Sequence, residues 1–441
     1  MPDRAVEAVR AAALWFEPGT DGLAALLEAI GDATLVLIGE ASHGTHEFYR
    51  IRADLTVALI ERKGFNLVAA EADWPDAYRA NRWVRLASDE PDAAAALDSF
   101  TRFPRWMWRN DVVVDFLQWL RAFNGDRQAA QRIGFYGLDL YSLHSSMDAV
   151  LRYLERVDPV AAGRARDRYG CFGHLGADGQ GYGYAATLGL SASCEREVLA
   201  QLVEMRGRAA DYMSRDGFVA EDDYFFAEQN ARLVRNAEQY YRTMFAGHVD
   251  SWNLRDSHMM ETLDALIAWT RRRSGAARAV VWAHNSHLGD ARATQMGDWG
   301  ELNLGQLARQ TYGEEAYLVG FTTHTGMVTA ARDWDEPAER QRVRPSLDGS
   351  YERLFHDVDM PRFLLMLGDE ALRSALQAPR LERAIGVVYK PETERASHYF
   401  RARLPDQFDA VIHVDETRAL NPLERWSRED ADLPETYPMG V

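Results

Sequence analysis

A chain of 441 residues with 50 Lys plus Arg against 67 Asp plus Glu carries a formal charge of −17, which argues against the phosphate backbone of a nucleic acid as its partner. The length exceeds one small core and points to a large domain with an insertion, or to two domains. There is no window of about 18 apolar residues for a membrane span, no apolar core for a signal peptide, and only Cys171 and Cys194. With no C-x-x-C pair, neither a disulfide framework nor a thiolate zinc site is expected, and the chain reads as soluble and cytoplasmic.

Taken in order, Thr34 to Ile38 is an aliphatic, β-branched run too short for a helix, so it predicts a strand buried on both faces. Gly39 ends it, and Glu40, Ser42, His43, Thr45, His46 and Glu47 follow in a polar turn. In an open α/β sheet such a turn lies in the crevice beyond the carboxyl end of a strand, where ligands bind. Phe48, Ile51, Leu55, Ala58 and Leu59 then recur at helical spacing. Gly64 is the expected C-cap. Leu67 to Glu71 predicts a second buried strand ending in an acid, with Asp73, Trp74 and Pro75 next, which completes a parallel crossover unit.

The pattern recurs down the chain. RIGFYG at 132–137 leads to Asp139, AVVWA at 279–283 to His284 and His287, and AYLVGF at 316–321 to His324. AIGVVY at 384–389 leads to Lys390, and AVIHV at 410–414 to Asp415 and Glu416. If these strands run parallel, their ends meet in one cleft lined by Glu, Asp and His. Residues 145–275 read mostly as helices, apart from a Gly-rich loop at 170–190, and are expected to form an inserted lobe between two parts of an α/β core at 1–144 and 276–441. The fold expected is a mixed, largely parallel central sheet flanked by helices, with that helical lobe inserted.

No G-x-S-x-G elbow, Walker loop, G-x-G-x-x-G or H-E-x-x-H occurs. What remains is a Glu/His cluster suited to activating water by a general base. With the helix starting near Ser42, His43 falls in its first turn, Glu40 can accept a hydrogen bond from the ring, and Glu71 comes from the next strand of the unit. Arg52 lies about 13 Å along the helix and leans toward its N-terminus, where it could meet a carboxylate or oxyanion. Trp106 and Trp108 in FPRWMWRN could line a wide apolar pocket, although clustered aromatics usually form core.

GEASHGTHEF at 39–48, Arg52, AEADWPD at 70–76, WAHNSH at 282–287 and YKPETERASHYF through FDAVIHVDETRAL resemble the erythromycin esterase family, in order and over nearly the whole chain. The resemblance implies an α/β fold with a helical lobe and hydrolysis of a macrolide lactone or similar ester by an activated water, with neither metal nor other cofactor. It assigns functional roles to Glu40, His43, Arg52, Glu71 and His284, with His43 as base; the mechanism expected from these residues has Glu40 and Glu71 orient and charge-balance His43 while His284 and Arg52 meet the oxyanion. Asp73, His46, His287, Trp106 and Trp108 are expected near the substrate, a small-molecule ester or lactone. Two other readings stay open: a metal-dependent hydrolase built on the same Glu/His cluster, and a small-molecule binding protein or biosynthesis partner without turnover.

Overall fold

A computed structural model of the chain describes residues 4–17, 19, 21–172, 182–185, 193–214, 217–244 and 248–424. The first half carries β1 (Leu35–Ile38), α1 (His46–Lys63), β2 (Leu67–Asp73), α2 (Trp74–Val84), α3 (Asp111–Asn124) and β3 (Gly134–Asp139). Helices follow: α4 (Leu143–Val157), α5 (Pro159–Tyr169), α6 (Glu195–Gly207), α7 (Gly217–Thr243) and α8 (His248–Ser274). The chain then returns through β4 (Ala279–Trp282), β5 (Ala316–Thr322), β6 (Thr325–Ala330), β7 (Glu339–Val343), β8 (Arg362–Met366), β9 (Arg380–Arg383), β10 (Tyr399–Ala402), β11 (Ala410–Val414) and β12 (Glu416–Thr417).

The central sheet runs β3-β2-β4-β1-β5-β11-β8, with every pair parallel except the edge strand β8, which is antiparallel to β11. This is the mixed, largely parallel α/β sheet expected. Side chains alternate across it. Leu35, Leu37, Leu67, Ala69, Ala279 and Val281 face a core shared with the helices of residues 143–274, while Val36, Ile38, Val68, Ala70, Val280 and Trp282 face one shared with α1 and α3. Burial on both faces explains why these strands are continuous apolar runs. Each fully buried Leu, Val or Ile contributes about 1.5–3 kcal/mol relative to exposure. Gly64 takes the left-handed conformation (φ 68°) at the end of α1, where its N–H bonds Leu59 O.

Several details depart from the sequence reading. Residues 384–389 are not a strand. Ile385 N–H instead donates to Ala41 O (2.9 Å) and Ile385 O accepts from His43 N–H (3.3 Å). The segment therefore straps the turn after β1, and Ile385 and Tyr389 bury against Val328, Ala330 and Val343 rather than in the sheet. β4 inserts between β1 and β2, so the crossover unit β1-α1-β2 is parallel but its strands are not neighbours. Cys171 and Cys194, which suggested no bridge, are joined in a disulfide with Cα atoms 5.9 Å apart. The stretch 170–190 falls mostly outside the described residues; within it Gly170–Phe172 makes a 3-10 turn and 182–185 are helical. Among the described residues no helix is long and apolar enough to cross a membrane.

Candidate active site

The sheet register brings the chemistry together. Ile38 pairs with Trp282, which stands level with Ala70. Glu40, Glu71 and His284 therefore leave neighbouring strands at nearly the same height, at their carboxyl ends. Asp139 ends β3 beside Asp73.

His43 is not in the first turn of α1. The helix begins at His46, and His43 sits in the turn before it, between bridges of Ser42 to Ile385 and of Thr45 to Ala419. These bridges keep the backbone from continuing into the helix. The turn also packs tightly: a Cβ on Gly44 would stand 1.8 Å from the carbonyl oxygen of Thr329, while Thr329 N–H donates to Gly44 O (2.9 Å). Only glycine permits that approach.

Within this frame His43 Nδ1 lies 2.9 Å from Glu40 Oε1. The carboxylate can only accept, so the proton sits on Nδ1 and Nε2 is left as the basic nitrogen. The ring of His284 is 4.8 Å from that of His43, centroid to centroid. His284 Nδ1 accepts from Ser286 N–H (3.2 Å), which places the His284 proton on Nε2. That Nε2 is buried and bonds no other side chain, with the backbone of Ala41 its polar neighbour. Burial and the nearby His43 push the His284 pKa well below the ordinary imidazole value, so the ring is a neutral donor.

Glu71 does not touch His43. Its Oε2 accepts from the backbone N–H of His284 (2.9 Å), and its Oε1 accepts from Arg255 Nη2 (2.7 Å) and lies 3.3 Å from His287 Nε2. Burial alone would raise its pKa, yet His287 and Arg255 hold it well below the usual carboxylate range. Arg255 also binds both oxygens of Asp139 (3.0 and 2.6 Å). His287 Nδ1 pairs with Asp256 (2.9 Å), and its ring stacks on Trp252 at 4.5 Å. Against burial, Asp256 and Glu71 raise the His287 pKa to about 9, in spite of Arg255 beside it. His287 is thus braced on both nitrogens, since Arg255 Nη1, which can only donate, also lies 2.9 Å from its Nε2.

Arg52 is placed elsewhere than an oxyanion role requires. It is fully buried, with its guanidinium 3.4 Å from Glu40 Oε2 and between the rings of Tyr49 (4.5 Å) and Trp282 (4.9 Å). It compensates the charge of Glu40 from behind and has no route to a substrate. Trp106 and Trp108 are also buried, 4% and 5% exposed, in the core with Phe100, Phe116 and Phe135. They leave no ring face for a ligand. Asp73 precedes α2 at the edge of the cleft and pairs with Arg102 (2.8 Å). His46 is half-buried at the start of α1.

Arg255 and Asp256, which the sequence reading missed, come from α8 in the inserted helical stretch, where their charges look like any others on a mixed-charge helix. Only their burial against the strand ends distinguishes them. Conversely, His324 and Asp415 follow β5 and β11 but join a separate group: His356 Nδ1 lies 2.9 Å from Asp415 Oδ1 and stacks on His324 at 3.7 Å. Among the described residues no group of three or more His, Cys, Asp or Glu is arranged to hold a metal ion.

The family model described as erythromycin esterase matches residues 60–417. The erythromycin esterase type II of Escherichia coli is 22% identical over 320 residues, 70% of this chain and 74% of that protein. A solved structure of a Bacillus cereus protein superposes with a TM-score of 0.75 at 17% identity, covering 96% of this chain and 99% of that one. That of an erythromycin esterase mutant in its open conformation does so with a TM-score of 0.65 at 16% identity, covering 90% and 94%. The structural likenesses establish a shared fold.

Proposed function

The chain belongs to the erythromycin esterase family, and from that membership we propose that it hydrolyses an ester or lactone, a macrolactone being the foremost substrate, with His43 as the general base. The observation that carries this reading is the 2.9 Å bond from His43 Nδ1 to the Glu40 carboxylate beside a neutral His284 whose Nε2–H bonds no other side chain.

In this mechanism His43 Nε2 takes a proton from water as its oxygen adds to the ester carbonyl carbon. The negative charge that develops on the carbonyl oxygen is met by His284 Nε2–H, a donor fixed before the reaction begins. When the tetrahedral intermediate collapses, the leaving alkoxide recovers the proton from His43, and the acid and alcohol depart. Glu40 holds the His43 tautomer and offsets the imidazolium. Arg52 stands 3.4 Å behind Glu40 and fixes the carboxylate's place. Glu71, Arg255 and His287 act at one remove: Glu71 holds the His284 backbone, and Arg255 and His287 beside it hold its carboxyl low. A preformed donor facing a preformed base suits hydrolysis better than retention of an unreacted ligand.

The test is mass-spectrometric detection of water addition to a panel of macrolides and simpler lactones, with the wild type, with His43→Ala, and with chelator. Addition that requires His43 and survives chelator is the expected result. Loss with chelator would move the reaction to a metal ion, and no product from any lactone would refute hydrolysis of this class.

A further inference from the structure

Strand β1 ends its pairing with β5 at Ile38, which stands level with Val319. Gly39 N–H still reaches Val319 O (2.8 Å), and the chain then turns away toward Glu40 and His43. In a parallel ladder the backbone groups of every second residue face the same neighbour, so after Val319 the next to face the β1 side is Phe321. Phe321 is buried, and a buried backbone N–H or C=O is costly if left unpaired. Both of its groups are met by one side chain. Asn285 Nδ2 donates to Phe321 O (2.8 Å), and Asn285 Oδ1 accepts from Phe321 N–H (3.3 Å). The carboxamide stands in for the peptide that β1 no longer supplies. Asn285 joins two further strand ends as well. It follows His284 directly after β4, and its own backbone N–H donates to Glu40 O (2.8 Å). It is buried, with the carboxyl of Glu382 a polar neighbour of its amide. A Cβ on Gly39 would stand 2.2 Å from Asn285 Oδ1, so the first residue beyond β1 is bare where the amide crosses it. Phe321 also sets which way the amide points, since a flip would oppose N–H to N–H and C=O to C=O.

We propose that Asn285 is a positioning residue for the hydrolysis: by holding the ends of β1, β4 and β5 in one frame, it fixes the spacing between the His43–Glu40 pair and His284. Its kinetic consequence rests on the proposed hydrolysis, its geometric one on the hydrogen bonds alone. Asn285 touches no reacting atom in this scheme. Removing its carboxamide leaves the backbone bond to Glu40 but releases Phe321, and His284 next to it loses its fixed height against His43. A donor displaced by about 1 Å from the developing oxyanion forfeits up to about 100-fold in rate. Ground-state binding, which that donor does not govern, is left as it was.

The test compares the full chain as wild type, as Asn285→Ala, and as Gly39→Ala, which presses on Asn285 Oδ1 from the side of β1. Amide hydrogen exchange at residue level follows Phe321. Nuclear Overhauser effects follow the ring protons of His43 and His284, whose centroids lie 4.8 Å apart, and kcat and KM are measured on a lactone that the wild type opens. Phe321 is expected to exchange slowly in the wild type and at least about tenfold faster in Asn285→Ala. The Overhauser effect should weaken in both variants, with kcat lower by about 10–100-fold and KM within about twofold of the wild type. Fast exchange of Phe321 in the wild type overturns the proposal. So does a folded Asn285→Ala that keeps the ring spacing and kcat of the wild type, or one that raises KM alone. Failure of the wild type to open any lactone refutes the hydrolysis instead, and exchange and ring spacing then decide whether Asn285 sets the frame.

Discussion

The imidazole of His43 has one nitrogen spent on Glu40 and one free, and on the mechanism proposed its removal takes away the base while leaving a buried turn otherwise intact. His43→Ala is expected to lower kcat by at least about 100-fold with the thermal unfolding midpoint nearly unchanged. Activity near the wild-type level in a normally folded variant would assign the base elsewhere. His287 makes a different prediction. Its pKa of about 9 in the folded chain lies above the ordinary 6.5, so the stability it contributes is fully present below about pH 6.5 and fades as pH rises toward 9. Unfolding free energies measured across that window should fall by up to roughly 3 kcal/mol for this group, and His287→Gln should remove that part of the slope. An identical slope in both proteins would show that the ring is not held charged. Glu40, His43, Glu71 and His284 are legible as one cluster because each follows an apolar run. Their partners were not: Arg255 reaches Glu71 across 184 positions of sequence, and nothing local to α8 marks it.

Among elements, the turn between β1 and α1 depends on strands far along the chain. A Cβ at Gly44 meets backbone, not a pliable side chain, so Gly44→Ala must displace either β6 or the turn. A loss of about 1–3 kcal/mol together with most of the proposed hydrolytic activity is expected, read by chemical denaturation and turnover on one preparation. Gly163 is the contrast. It lies inside α5 with nothing within 4 Å of an added Cβ, and Gly163→Ala should gain about 0.5–1 kcal/mol. Strands β1 to β5 and β11 could be read from their apolar runs, as could α1 with its Gly64 cap. β6 to β10 and β12 are not legible: β7 and β9 are charged segments, ERQRV and RLER, with no apolar run to mark them, while 384–389 looks like a strand because a short apolar segment reads the same whether it enters a sheet or straps a turn. Cys171 and Cys194 sit 23 positions apart with no spacing motif, so only the packing of the helices around them reveals the bridge.

For the molecule as a whole, the charge of −17 sets up a field that draws cations and is screened beyond about 8 Å at physiological salt. The kcat/KM of an amine-bearing ester should therefore fall as salt rises, while that of a neutral ester of similar size stays flat. Equal salt dependence of the two would show that this field does not act on the substrate. Composition, periodicity and the residues that end each apolar run were enough to determine an α/β sheet, a helical stretch within it and a Glu/His cluster at the strand ends, because these follow from local burial and from groups adjacent in sequence. The order of the strands was decided only in three dimensions. β4 lies between β1 and β2, which sets His284 between Glu40 and Glu71, and α8 folds over them to supply Arg255 and Asp256. That placement follows from packing two apolar faces at once, a condition summed over the whole chain and written in no single segment.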